Sequence, residues 1–139
     1  MADEYPAATS SGDSSSDLLS VSHDRRGAAV IVRLVGEIDL NSVSPMRAAL
    51  TKALADATAP HPIVLDLTGV GFLASAGLAE LQTAQQRADD QHTPLRIVAT
   101  GRAVLRPLEV TGMAAALDIR PDITAALVPA DPARDRPAL

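Results

Sequence analysis

The run Ile63-Val-Leu-Asp-Leu67 constrains this chain more than any other feature, because it is continuously apolar apart from one aspartate and is bracketed by Pro62 and Thr68-Gly69. That pattern belongs to a strand buried on both faces, and such a strand sits centrally in a sheet with parallel neighbours. Parallel neighbours need crossover connections, and the flanking segments supply them. Upstream, Pro45 lies in a first helical turn that Ser42 or Ser44 could cap, and Met46, Ala49, Leu50, Ala53 and Leu54 recur at three- and four-residue spacing. This predicts a helix through Ala57, ended by Pro60 and Pro62. Downstream, Thr68 to Ala74 reads as a loop. Ser75 to Asp90 then reads as a helix, with Leu78, Leu81, Ala84 and Ala88 on one face and Glu80, Gln82, Gln86 and Arg87 on the other.

The remaining segments complete the alternation. Leu18 to His23 alternates, Asp24-Arg-Arg-Gly27 supplies a turn and Ala28 to Ile38 is rich in β-branched residues, which predicts a hairpin. Pro94 precedes a short strand, Leu95 to Ala99, and Thr100-Gly101 leads into a helix over Ala103 to Val110. Pro107 is tolerable in that helix only within its first turn. The helix breaks at Thr111-Gly112 and can resume to Leu117, while Ile119 to Val128, with Pro121, is ambiguous. The order β-β-α-β-α-β-α predicts one α/β domain: a mixed, mostly parallel central sheet with helices packed against it.

A length of 139 residues suits a single domain. Hydrophobic residues make up 47% but aromatics only 1%, so the core must be aliphatic and stacking of nucleic-acid bases is disfavoured. The net charge of -5 argues against nucleic-acid and membrane partners. Four acids (Asp3, Glu4, Asp13, Asp17) fall before residue 21 with no base, so the rest of the chain is nearly neutral. Residues 1–16, serine-rich and acidic, are predicted to be a disordered tail, 17–128 the folded domain and 129–139, with Pro129, Pro132 and Pro137, a flexible tail. There is no cysteine, hence no disulfide framework or thiolate nucleophile. The opening stretch lacks the basic start and apolar run of a secretory signal, which points to a cytoplasmic protein.

Ser75 stands at the expected start of a helix, where a hydroxyl can cap an unpaired amide. The same place, with open amides and the positive end of the helix dipole, tolerates a phosphoryl group. Gly69-Val-Gly71-Phe-Leu-Ala74 imitates a dinucleotide-binding turn, but the next strand ends in Thr100-Gly101-Arg102, without the acidic residue that would hold a ribose. Ser75, in Leu73-Ala-Ser-Ala-Gly77, lacks the preceding glycine of a nucleophile elbow. His23, His61 and His92 have no second ligand at metal-binding spacing and read as solvent-exposed. Glu37 and Asp39 end a strand with the same parity and read as a cap and an electrostatic feature at the mouth of the sheet.

Three segments in order resemble the STAS-domain anti-sigma factor antagonists of bacteria. Leu34-Val-Gly-Glu-Ile-Asp39 is similar to that family's first signature, Ile63-Val-Leu-Asp-Leu67 with Phe72-Leu-Ala-Ser-Ala-Gly-Leu78 to its phosphorylation loop, and Val104 to Met113 to its last helix. The resemblance implies a non-enzymatic regulator without a cofactor, metal or catalytic residue. It binds an anti-sigma factor, often itself a serine kinase, frees a sigma factor, is switched off by phosphorylation of Ser75 and is restored by a serine phosphatase. Asp39 then corresponds to an aspartate beside the serine that repels the phosphate and orients the hydroxyl. The implied partner contacts are Asp39, Asn41, Ser42, Ser44, Phe72, Leu73, Ala74, Ala76, Gly77 and Leu78. Many members carry an acidic residue and further hydroxyls beside the serine. Here Ala74 and Ala76 stand there, leaving Ser75 the only hydroxyl and passing the acidic role to Asp39 and Asp66. A phosphorylation-independent scaffold or small-ligand sensor of the same fold is the alternative.

Overall fold

In the computed structural model, which describes residues 19–128, the predicted hairpin forms first. Strand β1 (Leu19–Arg26) pairs antiparallel with β2 (Ala29–Ile38). The connection is shorter than the Asp24 to Gly27 turn expected from the sequence, because Asp24, Arg25 and Arg26 stay in the ladder and only Gly27 and Ala28 turn. Gly27 has φ 63°, a conformation glycine adopts without penalty and two-residue hairpins need. The two predicted tails and Leu18, where the first strand was expected to begin, lie outside the described residues.

Helix α1 (Val43–Asp56) follows and buries Val43, Met46, Ala49, Leu50, Ala53 and Leu54, the stripe set by the apolar spacing. It stops where Ala57 turns extended ahead of Pro60 and Pro62, neither of which can continue a helix. Then come β3 (Ile63–Leu73), α2 (Ser75–Asp90), β4 (Leu95–Val98) and α3 (Arg102–Val110). The ambiguous C-terminal stretch resolves, after a short 3-10 turn at Met113–Ala115, into β5 (Asp118–Arg120) and a one-turn helix, α4 (Ile123–Ala126). The sheet order is β1-β2-β3-β4-β5, with β1–β2 antiparallel and the other pairs parallel, so β3 is central as expected.

Two local expectations are corrected. The Thr68 to Ala74 loop is mostly strand: β3 runs on through Leu73 beside β2, with register shifts between Arg33 and Val35 and between Gly36 and Glu37. Each shift inserts an extra β3 residue, a bulge that keeps inward residues inward. Gly69 and Gly71, which resemble loop punctuation in the sequence, are the bare backbone beside those bulges. Pro107 sits beyond the first turn of α3, yet the helix persists because Val104 and Leu108, one turn apart, are both anchored in the core.

The main core lies on one face of the sheet, where Val30, Val32, Leu34 and Ile38 of β2 meet the buried stripes of α1, α2 and α3. On the other face α4 covers a small cluster of Ile31, Val64, Val98 and Ala126. Arg96, 2% exposed, fastens that helix by donating to the Ala126 carbonyl at 2.8 Å and to the Val128 carbonyl, with Asp118 at 3.7 Å. Among the described residues no helix is long and apolar enough to cross a membrane.

Candidate functional site

The carboxyl ends of β2 and β3 bring the two signature segments together. Ile38 and Leu73 are register partners, and the Ala74 amide donates to the Ile38 carbonyl at 2.9 Å. One residue beyond this bond on each chain stand Asp39 and Ser75, the pair singled out from the sequence.

On the first side the chain closes a tight turn. Asp39 Oδ1 accepts from the amides of Asn41 at 2.8 Å and Ser42 at 3.1 Å, and the Ser42 hydroxyl donates to the Glu37 carbonyl at 2.7 Å while accepting from the Asp39 amide at 2.9 Å. Ser42 therefore occupies the N-cap position of α1 without capping through its side chain. No hydrogen bond joins Asp39 to Ser75 among the described residues, so the expected orienting of the hydroxyl by Asp39 is absent; the carboxylate organises its own turn.

On the second side Ala74, not Ser75, is the N-cap of α2, with φ -88° and ψ 174°. Its carbonyl accepts from Gly77 at 3.0 Å and Leu78 at 3.2 Å. The helix thus begins one residue earlier than a capping serine would require, because the Ala74 amide is already held by Ile38. Ser75 falls on the first turn, exposed, and its hydroxyl makes no hydrogen bond among the described residues. The helix dipole nevertheless points its positive end there.

Gly77 explains how tightly this turn is set. It is buried, and a Cβ on it would lie 2.6 Å from Ile38 Cγ2 and 2.6 Å from Leu73 Cδ1. The predicted contact residues therefore divide. Asn41, Ser44 and Ser75 are exposed, and Asp39, Ala74, Ala76 and Leu78 are half-buried, together forming a small, shallow surface. Ser42, Leu73 and Gly77 are buried, so they support the surface and do not form it. Phe72 alternates with inward Leu73 and so projects from the opposite face of the sheet. Asp66 is also misplaced by the sequence reading: it pairs with Arg33 Nε at 3.3 Å and accepts from the Thr68 hydroxyl at 2.7 Å, roughly 20 Å down the strand from Ser75. Gly69 and Gly71, being strand residues, form no phosphate-binding turn.

Sequence reasoning missed the Arg47–Glu80 ion pair, 2.8 Å, which ties α1 to α2 beside the site. Its partners are 33 residues apart, and no local pattern pairs them. It also missed Leu40, 80% exposed in the turn between Asp39 and Asn41, an apolar residue that a strand-end motif does not call for.

The histidines also depart from expectation. His61 and His92 are exposed, but His23 is half-buried against α1, its Nδ1 without a hydrogen-bond partner among the described residues, in a small recess it shares with Lys52 and Asp56. Burial, and then the Lys52 charge, hold its pKa below the ordinary 6.5, with Asp56 opposing. A lowered folded pKa means the native state favours neutral imidazole. The associated stability is complete above the ordinary value and is lost as pH falls below it. Thermal unfolding should therefore move to lower temperature as pH drops from about 7.5 to about 5.5, with a shallower fall in His23→Gln. Parallel falls in the two proteins would remove His23 from the account.

The comparisons with known proteins fit this geometry. A family model described as "Mlab, STAS domain" matches residues 21–124. The anti-sigma-F factor antagonist RsfA of Mycobacterium tuberculosis is 31% identical over 112 residues, covering 81% of this chain and 88% of that protein. Among solved structures, an anti-sigma factor antagonist from Mycobacterium paratuberculosis superposes with a TM-score of 0.71 at 29% identity, covering 82% of this chain and 95% of that one. The anti-sigma factor antagonist SpoIIAA in its unphosphorylated form shares the fold, with a TM-score of 0.62 at 17% identity over 76% of this chain and 92% of its own.

Proposed function

The chain belongs to the STAS-domain family, and from that membership we propose that it is an anti-sigma factor antagonist switched at Ser75. The observation that carries the switch is an exposed serine on the first turn of α2 whose hydroxyl has no hydrogen-bond partner among the described residues. A capping hydroxyl would have to be pulled from its bond before modification. This one is free for a kinase, and the flanking Ala74 and Ala76 offer no competing acceptor.

In the unmodified state the shallow surface of Asn41, Ser44, Ala74, Ala76 and Leu78 is covered by the anti-sigma factor, which releases its sigma factor. An anti-sigma kinase transfers the γ-phosphoryl group of ATP to Ser75 Oγ. The hydroxyl proton leaves with the kinase's base, and ADP departs. The modification adds about -1.5 to -2 charges. The N-terminus of α2 accommodates them within the fold, but a partner that had covered small apolar side chains must now desolvate a dianion close to Asp39. A serine phosphatase uses water to release inorganic phosphate and restore the hydroxyl.

The test uses the full chain and the purified anti-sigma factors encoded in the same genome. One of them should bind the unmodified protein and, with ATP, add a single phosphoryl group to the wild type and none to Ser75→Ala, as read by intact mass. The phosphorylated protein should no longer bind. Binding that survives full modification would overturn the switch, and no binding to any of them would overturn the antagonist reading.

A further inference from the structure

Helices α1, α2 and α3 all pack on one face of the sheet, and the one-turn α4 covers only the lower part of the other. Above α4 none of the described elements packs on that second face. It carries the outward row of β2, Arg33, Val35 and Glu37, with Ser20 and Ser22 of β1 on one side and Gly69 and Phe72 of β3 on the other. Val35 is 55% exposed and Phe72, the chain's one phenylalanine, is 50% exposed, although an aliphatic core could use both. The two bulges in β3 set Gly69 opposite Val35 and Phe72 opposite Glu37. Gly69 must stay bare, since a Cβ there would lie 2.9 Å from Val35 Cγ2.

We propose that this face is a contact between two copies of the chain. The charge pattern selects a second copy, because Arg33, Val35 and Glu37 form a cationic, apolar, anionic row that is complementary to itself when reversed. A two-fold axis crossing the strands at Val35 places Arg33 of each copy against Glu37 of the other and Val35 against Val35. The same axis sets the bare Gly69 backbones against each other and brings each Phe72 ring over the other copy's Asp66, the register partner of Arg33. Arg33 is available for this: among the described residues only its Nε is engaged, with Asp66 at 3.3 Å, and its side chain is 39% exposed. Packed sheets sit about 10 Å apart, within reach of these side chains. Reversal also puts each α4 beyond the far end of the other copy's row, so the short helices do not collide. Phe72 then belongs to the self-contact, and Ser75, on the helical side of the sheet, stays free in both copies.

The test is the mass in solution of the full-length protein by sedimentation equilibrium over a micromolar concentration series. Wild type should fit a monomer–dimer equilibrium, and both Val35→Lys and Glu37→Arg should weaken dimerisation at least tenfold. Mixing Glu37→Arg with Arg33→Glu should recover a dimer, because arginine then meets glutamate at both ends of the row. A monomeric wild type, or a dimer indifferent to Val35→Lys and Glu37→Arg, overturns the proposal. So does a monomeric wild type whose thermal stability falls on Val35→Lys, which would mean that the chain's own residues 1–18 cover the face.

Discussion

Gly77→Ala is expected to destabilise the protein by about 1–3 kcal/mol, the usual penalty for inserting a methyl group into a filled core. Helix propensity alone argues the other way, since alanine is favoured over glycine in a helix by about 1 kcal/mol. Packing decides the sign. The new Cβ would stand 2.6 Å from Ile38 Cγ2 and 2.6 Å from Leu73 Cδ1, and both side chains are themselves buried, at 0% and 4% exposure. Leu73 Cδ1 ends a side chain that can turn aside, but Ile38 is β-branched at a strand end, so its Cγ2 cannot yield without moving the first turn of α2, and with it Ser75. The denaturation midpoint should fall at unchanged slope, and anti-sigma binding should weaken with it. Gly71→Ala is the control, because a Cβ there meets nothing within 4 Å, and it should change stability by less than about 0.5 kcal/mol. A Gly77→Ala protein as stable as wild type would show that the turn is not held by this close approach.

The second large effect is on binding. With the anti-sigma factor that the wild-type chain captures, Ser75→Glu should raise the dissociation constant ten- to a hundredfold, about 1.4–2.8 kcal/mol, while Ser75→Ala stays within about threefold of wild type. The side chain is exposed and free of hydrogen bonds among the described residues, so removing its hydroxyl sacrifices no capping contact. A carboxylate on the first turn of a helix is, if anything, favourable to the fold, by about 0.3–1 kcal/mol. Loss of binding by Ser75→Glu with an unchanged or raised melting temperature therefore reports on the interface and not on unfolding. Equal binding by the two variants would sink the switch at Ser75. Loss of binding by Ser75→Ala would instead make the hydroxyl itself a contact.

Much of the architecture was legible along the chain. The apolar run Ile63 to Leu67 required a central strand, the three- and four-residue spacing of Met46, Ala49, Leu50, Ala53 and Leu54 required a helix beside it, and the hairpin and both crossovers appear in the structure in their expected order. These elements depend on periodicity and on proline and glycine punctuation, which neighbours in sequence determine through sterics and burial. The nearness of Asp39 to Ser75 was expected only from the resemblance of the two segments to the family's signatures, and the Ile38–Leu73 register pair brings those segments together.

What only the tertiary structure decided depends on residues far apart in the chain. The stretch Thr68 to Leu73 has the glycines of a loop, but β2 lies alongside and offers a ladder, so it continues as a bulged strand. Ser75 is the type of residue that caps a helix, but the Ile38 carbonyl holds the preceding amide, the cap falls on Ala74 and the hydroxyl makes no hydrogen bond among the described residues. Gly77 looked like part of a contact surface until Ile38 and Leu73 closed over it. Register, bulges and close approaches are set by which distant backbone arrives at 3 Å, and a local pattern carries no record of that. The amino-acid sequence by itself determined the order of elements from β1 to α3 and singled out Ser75 as the candidate. The packing of β2 against β3 determined that the serine is available.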